Sequence, residues 1–349
     1  NWDGKTWAPR LIGNRLSNIL FCYGTFADTA DNEFQNRLMK QFASQARYLE
    51  LEWKNIENHS DRLYALLGLM AGRICLTKQK DEIDYIIDII IEEIEKVINT
   101  DGMHFSRKPQ FQLEVLKIII EVHYLGKSSI KRVRGEYNNI LNNLISCSKM
   151  LQHSNGSIIN FNGGSKFGKN KIAQLVSKSD ISVKALSGIS QDGFARLKSK
   201  STSLIFDMGM PNKISQNWHA GTLSFEFSHG KNLILVNNGF LDMDSSWANA
   251  LRGTSAHSTI SIDGKNSSSL ENNKDVERIA EITEKYLENT SKGVFASATH
   301  NGYYKSHGIY HKREITLNKQ GNKISGIDEL IYTGAPGAIA LNAELRFHL

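Results

Sequence analysis

The sequence predicts an all-helical region followed by an all-β region, and three observations carry that division. Apolar residues recur at helical spacing as far as about Leu151. Strand-like alternation dominates after about Ser203. Between them the chain turns rich in Asn and Gly, with Asn155-Gly156 and Asn160-Phe161-Asn162-Gly163-Gly164 marking a crossing. The expected domains are residues 1–152, helix hairpins packed in an array; 153–200, a crossing segment; and 201–349, an antiparallel β-sandwich. A chain of 349 residues suits about two domains, each able to bury a core.

The helices follow in order. Glu33 to Leu51 carries Phe34, Leu38, Phe42, Gln45 and Leu49 on one stripe, with Asp31 as N-cap. Arg62 to Leu76 repeats the pattern through Leu63, Leu66, Leu67, Met70 and Ile74. Asp81 to Ile98 has the strongest stripe, Ile83, Ile86, Ile87, Ile90, Ile91, Ile94 and Val97. Phe111 to Leu125 and Tyr137 to Leu151 obey the same rule. The loop Asp101-Gly102-Met103-His104-Phe105-Ser106-Arg107-Lys108-Pro109 joins two of these helices. Asp-Gly marks a turn and Pro109 suits the first turn of the next helix. Such a loop is either a solvated connector or a place for chemistry.

In the β region two stretches organise the rest. From Trp218 to Gly239, Leu223, Phe225 and Phe227 face one way while Thr222, Ser224, Glu226 and Ser228 face the other. Leu233 to Val236 reads as a fully buried strand. From Arg252 to Ser268, Ile260 and Ile262 share a face opposite His257, Thr259 and Ser261. Each stretch opens near a histidine, His219 and His257. A histidine on a strand is more often a satisfied structural residue than a ligand. Two of them beside the polar turn Asn237-Asn238-Gly239 also read as a site. Gly293 to Thr299, Gly308 to Leu317 and Lys323 to Tyr332 complete the strands; Glu277 to Glu288 fits a helix or a charged strand pair and is read as strand.

Composition narrows the partners. The net charge of +6 and pI near 9.0 suit an anionic partner. Without zinc-finger spacing, an RNA-binding signature or a long basic run, nucleic acid is not expected. No apolar run approaches the ~20 residues of a membrane span. Cys22, Cys75 and Cys147 are odd in number and unclustered, which argues against a disulfide framework and for buried free thiols. The chain opens on Asn1 and stops within ELRFHL, which reads as strand, so a fragment is expected at both ends.

Five runs together resemble one family. WHAGTLSFEFSHGKNLILVNNG, LRGTSAHSTISIDGKNSS and HGIYHKREITLNKQGNKISGIDEL, with the loop DGMHFSRKP and the crossing NGSIINFNGG, are similar to the heparinase II/III polysaccharide lyases. The likeness is greatest to bacterial members described as heparinase II/III-like. It implies an incomplete α/α toroid followed by an antiparallel β-sandwich, acting on an acidic, uronate-containing glycan by β-elimination. It also implies a periplasmic or cell-envelope location. Some members hold zinc through two histidines and an aspartate. His219 and His257 match the histidines, and Asn237 stands at the aspartate position. An amide is a weaker, uncharged ligand, so zinc is expected to bind poorly if at all.

The resemblance also assigns roles. His104 matches the toroid-loop histidine, and with His219 it is a candidate catalytic residue that neutralises the uronate or accepts its proton. Arg107 is placed as a clamp on the anionic sugar, with Asn162 and Arg252 as further substrate-binding residues. The tyrosine that often protonates the leaving oxygen has no counterpart here, since Tyr124 and Tyr137 lie in helices and read as core. The rival reading is a non-catalytic glycan-binding or envelope-associated protein on the same fold.

Overall fold

The computed structural model describes residues 4–77, 79–126, 134–164, 168–212, 218–239, 246–270, 278–334 and 340–349. Six long helices come first: α1 (Pro9–Phe26), α2 (Asn32–Glu52), α3 (His59–Leu76), α4 (Lys80–Glu95), α5 (Pro109–Leu125) and α6 (Arg134–Met150). The short α7 (Lys171–Val176) closes the helical stretch. Asp31 caps α2 as expected, its carboxylate accepting the Phe34 N–H at 2.7 Å. The isoleucine stripe of α4 is buried along its length. Each such side chain contributes roughly 1.5–3 kcal/mol of burial.

Helix α1 was not resolved as a separate element by periodicity, and the reason is packing. Gly13 lies so close to α3 that a Cβ there would meet the Tyr64 carbonyl, and Gly68 of α3 faces Gly13 in turn. The glycines that let α1 and α3 touch backbone to backbone are the residues that weaken a helical pattern.

The β region runs β1 (Gly188–Ile189), β2 (Phe194–Ser199), β3 (Thr202–Asp207), β4 (Phe225–His229) and β5 (Asn232–Leu235), then α8 (Ser246–Arg252) and β6 (Ile260–Ile262). After these come β7 (Ile282–Thr290), β8 (Gly293–Tyr303), α9 (Tyr304–His307), β9 (Ile309–Asn318), β10 (Ile324–Tyr332) and β11 (Ala343–Leu345). Strands β1 to β5 form one antiparallel meander and β7 to β10 another; β11 pairs with β6. The two larger sheets share a core. Leu197, Leu204, Phe206 and Phe225 from one pack with Ala296, Ala298, Ile315 and Leu317 from the other. The predicted fold class, helices and then an antiparallel sandwich, describes the chain.

Strands β1 and β2 lie within and next to the stretch Leu186 to Leu197, which the sequence reads as the start of the β part inside the 153–200 crossing segment. Two details differ from the sequence reading. Strand β5 is not fully buried: Leu233 and Ile234 are exposed and only Leu235 enters the core. Cys22 is exposed, whereas Cys147 is buried. The first residue of the 277–288 strand lies outside the described residues.

By compactness the chain divides into two units that are discontinuous in sequence. The first holds residues 1–98, 114–142 and 175–181; the second holds 99–113, 143–174 and 182–349. The loop of residues 101–109 thus belongs to the unit that carries the sheets.

Within that unit Arg313 is fully buried and joins separate segments. Its Nη1 donates to the carbonyls of Leu223 and Ser258, both at 2.6 Å, while Nε and Nη2 bind Asp328. Burial alone would raise the Asp328 carboxyl. Hydrogen bonds from His311 and Arg313 outweigh it and hold the group down to about 2. A carboxylate depressed on folding stabilises the native state above its unfolded pKa and loses that contribution as pH falls through the folded value. The effect is on the order of 2 kcal/mol. Acid unfolding followed by circular dichroism between pH 4 and 2 should therefore be less steep in Asp328→Asn than in the parent.

Candidate active site

The loop that carries His104 is shaped by its own side chains. Asp101 accepts the Met103 N–H at 3.1 Å, and the Arg107 N–H closes a turn on the His104 carbonyl at 2.9 Å. Gln112, on the first turn of α5, straps the loop down. Its Oε1 accepts the His104 N–H at 2.7 Å and its Nε2 donates to the Gly102 carbonyl and Ser148 Oγ. The His104 ring packs against Phe105 and Phe111.

Hydrogen bonds assign the tautomer of His104. Its Nδ1 accepts from the Ser106 backbone N–H at 3.1 Å. Ser106 Oγ accepts the Lys108 N–H and lies 2.7 Å from the same Nδ1, so the hydroxyl donates to it. With Nδ1 doubly occupied as an acceptor, the neutral ring carries its proton on Nε2. Burial, and secondarily the charge of Lys108, pushes the imidazole down to about 4, so His104 is neutral at pH 7. It is a hydrogen-bond donor, not a base.

His219 has the opposite polarity. His257 Nδ1 lies 2.7 Å from the Gly253 carbonyl, which can only accept, so His257 is protonated there and its Nε2 is an acceptor. His219 Nδ1 lies 3.1 Å from that Nε2 and must supply the proton between them. The remaining nitrogen, His219 Nε2, is therefore an unprotonated lone pair. It is buried and meets no hydrogen-bond partner among the described residues. Burial, then His257, Arg252 and Lys108, hold His219 well below the usual histidine range. Burial brings His257 down to about 4.

Lys108 and Arg252 supply the positive field. The Lys108 ammonium sits 5.8 Å from the centre of the Phe111 ring, which also contacts His104. Burial and then Arg252 lower its pKa. Arg252 is directed to structure: Nε donates to the Trp218 carbonyl at 3.0 Å, Nη2 to Leu270 and Nη1 to Asn249. It therefore positions the segment that carries His219 while keeping its charge near it.

Two residues read as sugar contacts are engaged inside the protein. Arg107, in a left-handed conformation at φ 58, turns inward and pairs with the fully buried Asp207. It also donates to the Met210 carbonyl at 2.9 Å and lies over Phe194. Its charge is neutralised within the protein, which corrects its reading as a glycan clamp. Asn162 is buried and donates to the Arg107 carbonyl at 3.3 Å, tying the crossing segment to the loop. Spacing hid both: the partner Asp207 is 100 residues away.

Asn237 is also engaged. Its Nδ2 donates to Glu226 at 3.1 Å and its Oδ1 accepts the Ser258 N–H at 3.0 Å. Zinc needs a built set of ligands, commonly three or four with anions among them. Two facing imidazole nitrogens could share an ion, but Asn237 is committed elsewhere. Among the described residues no group of three His, Cys, Asp or Glu gathers anywhere to hold a metal. The residues present do not fit a zinc centre.

Helices first, then antiparallel sheets with a histidine-bearing loop in the sheet unit, define a two-part α-then-β scaffold. The chain belongs to the heparinase II/III family: the heparinase II/III N-terminus matches residues 1–181, and the heparinase II/III-like C-terminal region matches 183–349. A curated relative, FtsZ-localized protein C of Caulobacter vibrioides, is 22% identical over 340 residues, covering 94% of this chain and 58% of its own. A heparinase III gene product with methylated lysines superposes with a TM-score of 0.71 at 14% identity, over 94% of this chain and 54% of that one. A mutant heparan sulfate lyase from Pedobacter heparinus gives 0.70 at 16% identity, with the same coverage of 94% and 54%. The chain thus spans somewhat over half the length of these proteins. At such identities the superpositions describe the fold.

The Arg107–Asp207 pair gives a direct check on its structural role. Removing one partner of a buried pair leaves an uncompensated charge and costs about 3–5 kcal/mol, whereas replacing both by apolar groups can be nearly neutral. In urea denaturation Asp207→Ala should lose stability on that scale. The double variant Arg107→Met, Asp207→Leu should recover most of it.

Proposed function

We propose that this chain is the core of a polysaccharide lyase that cleaves an acidic, uronate-containing glycan by β-elimination. The observation that carries the reading is that one unit holds two neutral imidazoles of opposite polarity, a donor at His104 and a lone pair at His219, both within the field of Lys108, with Arg252 also acting on His219. Elimination needs that combination. The uronate carboxylate must be stabilised as charge develops on it, and a base must remove the proton from the adjacent carbon. His104 Nε2–H and the two cations serve the carboxylate. His219 Nε2, directly or through one water, takes the carbon-bound proton. The electron pair forms the carbon–carbon double bond and the glycosidic C–O bond breaks. Lys108, whose ammonium proton is loosened by burial, gives the departing oxygen its proton.

A second reading has specific support. Tyr137 commits its hydroxyl to the Ile119 carbonyl and Tyr303 to Ile260. Neither is poised as the acid that a tyrosine often supplies. The curated relative is named for where it localises, not for a reaction. A glycan-binding, envelope-associated protein without turnover is therefore the alternative. Either way the proposed ligand is an acidic polysaccharide, and the family likeness supports a periplasmic or envelope location. No helix among the described residues is long and apolar enough to cross a membrane.

The test is a panel of acidic glycans incubated with the protein in its full-length form, recording the absorbance of unsaturated uronate. Turnover is expected, and His104→Ala and His219→Ala should each lower it by ~10²–10⁴-fold while the circular dichroism spectrum is kept. Glycan affinity should fall as salt rises, because the attraction is between charges. Binding without any unsaturated product would decide for the second reading, and equal turnover by both variants would remove these histidines from the mechanism.

A further inference from the structure

The His219–His257 contact has a consequence that matching residues to a zinc site does not contain. His257 is fixed at both ends. Its Nδ1–H is held by the Gly253 carbonyl at 2.7 Å, and its Nε2 faces His219 Nδ1 at 3.1 Å. The two rings stand nearly perpendicular, at 89°, with centroids 5.2 Å apart, an arrangement compatible with an N–H···N bond between them. The seat of the ring is also built. A Cβ at Gly221 would lie 2.6 Å from His257 Cδ2 and 3.1 Å from Nε2, so only glycine leaves room for the imidazole. The backbone that carries His257 is held too, by the Asn237 side chain on the Ser258 N–H and by Arg313 on the Ser258 carbonyl. The end of this chain of contacts is His219 Nε2, enclosed and without a partner among the described residues. A buried polar atom left unsatisfied is uncommon and calls for a ligand.

We propose that His257 is the positioning residue of the site: it accepts the Nδ1 proton of His219 without a metal between them, and so locks His219 in the tautomer whose Nε2 lone pair receives a proton from the substrate. The proposal deepens the lyase reading and rests on it for the identity of the proton donor. The bond itself does not depend on that reading. The step balances simply. The substrate carbon gives its proton to His219 Nε2, the ring becomes an imidazolium, and the Nδ1–H···Nε2 bond to His257 becomes charge-assisted and stronger. The residues that would have ligated zinc thus hold and orient a base, in the manner of a group that fixes the tautomer of a catalytic histidine.

Nitrogen-15 spectra of histidine-labelled protein, with signals assigned by single substitutions, test this without any substrate. The expected result is a neutral His219 protonated at Nδ1, unchanged by chelator and by added zinc, with no stoichiometric zinc on elemental analysis. Removing the acceptor in His257→Leu should release the lock, giving mixed His219 tautomers, and Gly221→Ala should do the same by displacing the ring. His257→Gln, whose side-chain carbonyl can accept the same proton, should restore the single tautomer. Glycan turnover should follow, falling roughly 10²-fold or more in His257→Leu and recovering in large part in His257→Gln. A His219 protonated at Nε2 in the parent, or both histidine signals shifting together at one equivalent of zinc, overturns the proposal. So does a His219 tautomer in His257→Leu identical to the parent's. If the tautomers come out as stated but no acidic glycan is cleaved, the lyase reading fails and the lock stands.

Discussion

One buried carboxylate governs the geometry of the sheet unit. Glu226 of β4 is fully enclosed, and its contacts join β4 to two other parts of the chain. One oxygen lies 2.9 Å from His153 Nε2. The other accepts the Asn160 N–H, the Asn237 N–H and Asn237 Nδ2 at 3.0–3.1 Å. The crossing segment, strand β4 and the turn at Asn237 are thereby gathered on one group. An unpaired charge at that depth would be very costly, so these contacts must form together. From there the order propagates outward. Asn237 holds the Ser258 N–H, and Ser258 follows the histidine that orients His219.

The electrostatics of the site follow from this packing. Imidazoles brought out of water beside Lys108 and Arg252 cannot hold a proton, and both rings are neutral at pH 7. Neutrality alone would leave two equivalent groups. Their hydrogen-bond partners make them different: a backbone N–H on Nδ1 turns His104 into a donor, and a histidine acceptor on Nδ1 turns His219 into a lone pair. To the anionic substrate proposed above, the cations would supply attraction and the two rings one donor and one acceptor. The positive field that depresses the imidazoles is also the field that would stabilise charge on a carboxylate.

Sequence periodicity reveals most of the scaffold, because it reports burial along single elements. The isoleucines of α4 and the Asp31 cap of α2 could be read directly, since their partners lie within one turn or on one face. Helix α1 could not, because its packing depends on glycines that approach α3. Strand β5 looked buried from its composition, yet which face a strand covers depends on neighbours far along the chain. The site divides in the same way. Histidines at 104, 219 and 257 stand out as residue types in a polar setting. That Arg107 is neutralised by Asp207, or that Glu226 is the hub and not a surface residue of an alternating strand, depends on contacts tens of residues apart. Lys108 was passed over beside Arg107, although its neighbour turns inward and it bears on both imidazoles.

The central claim is that these groups remove a proton from carbon and not that they activate water. A uronate glycan deuterated at the carbon bearing the carboxyl group separates the two most directly. The account predicts slower release of unsaturated product than from the protiated glycan, with the deuterium lost to solvent. Cleavage at an unchanged rate to a saturated product that keeps its deuterium would contradict it.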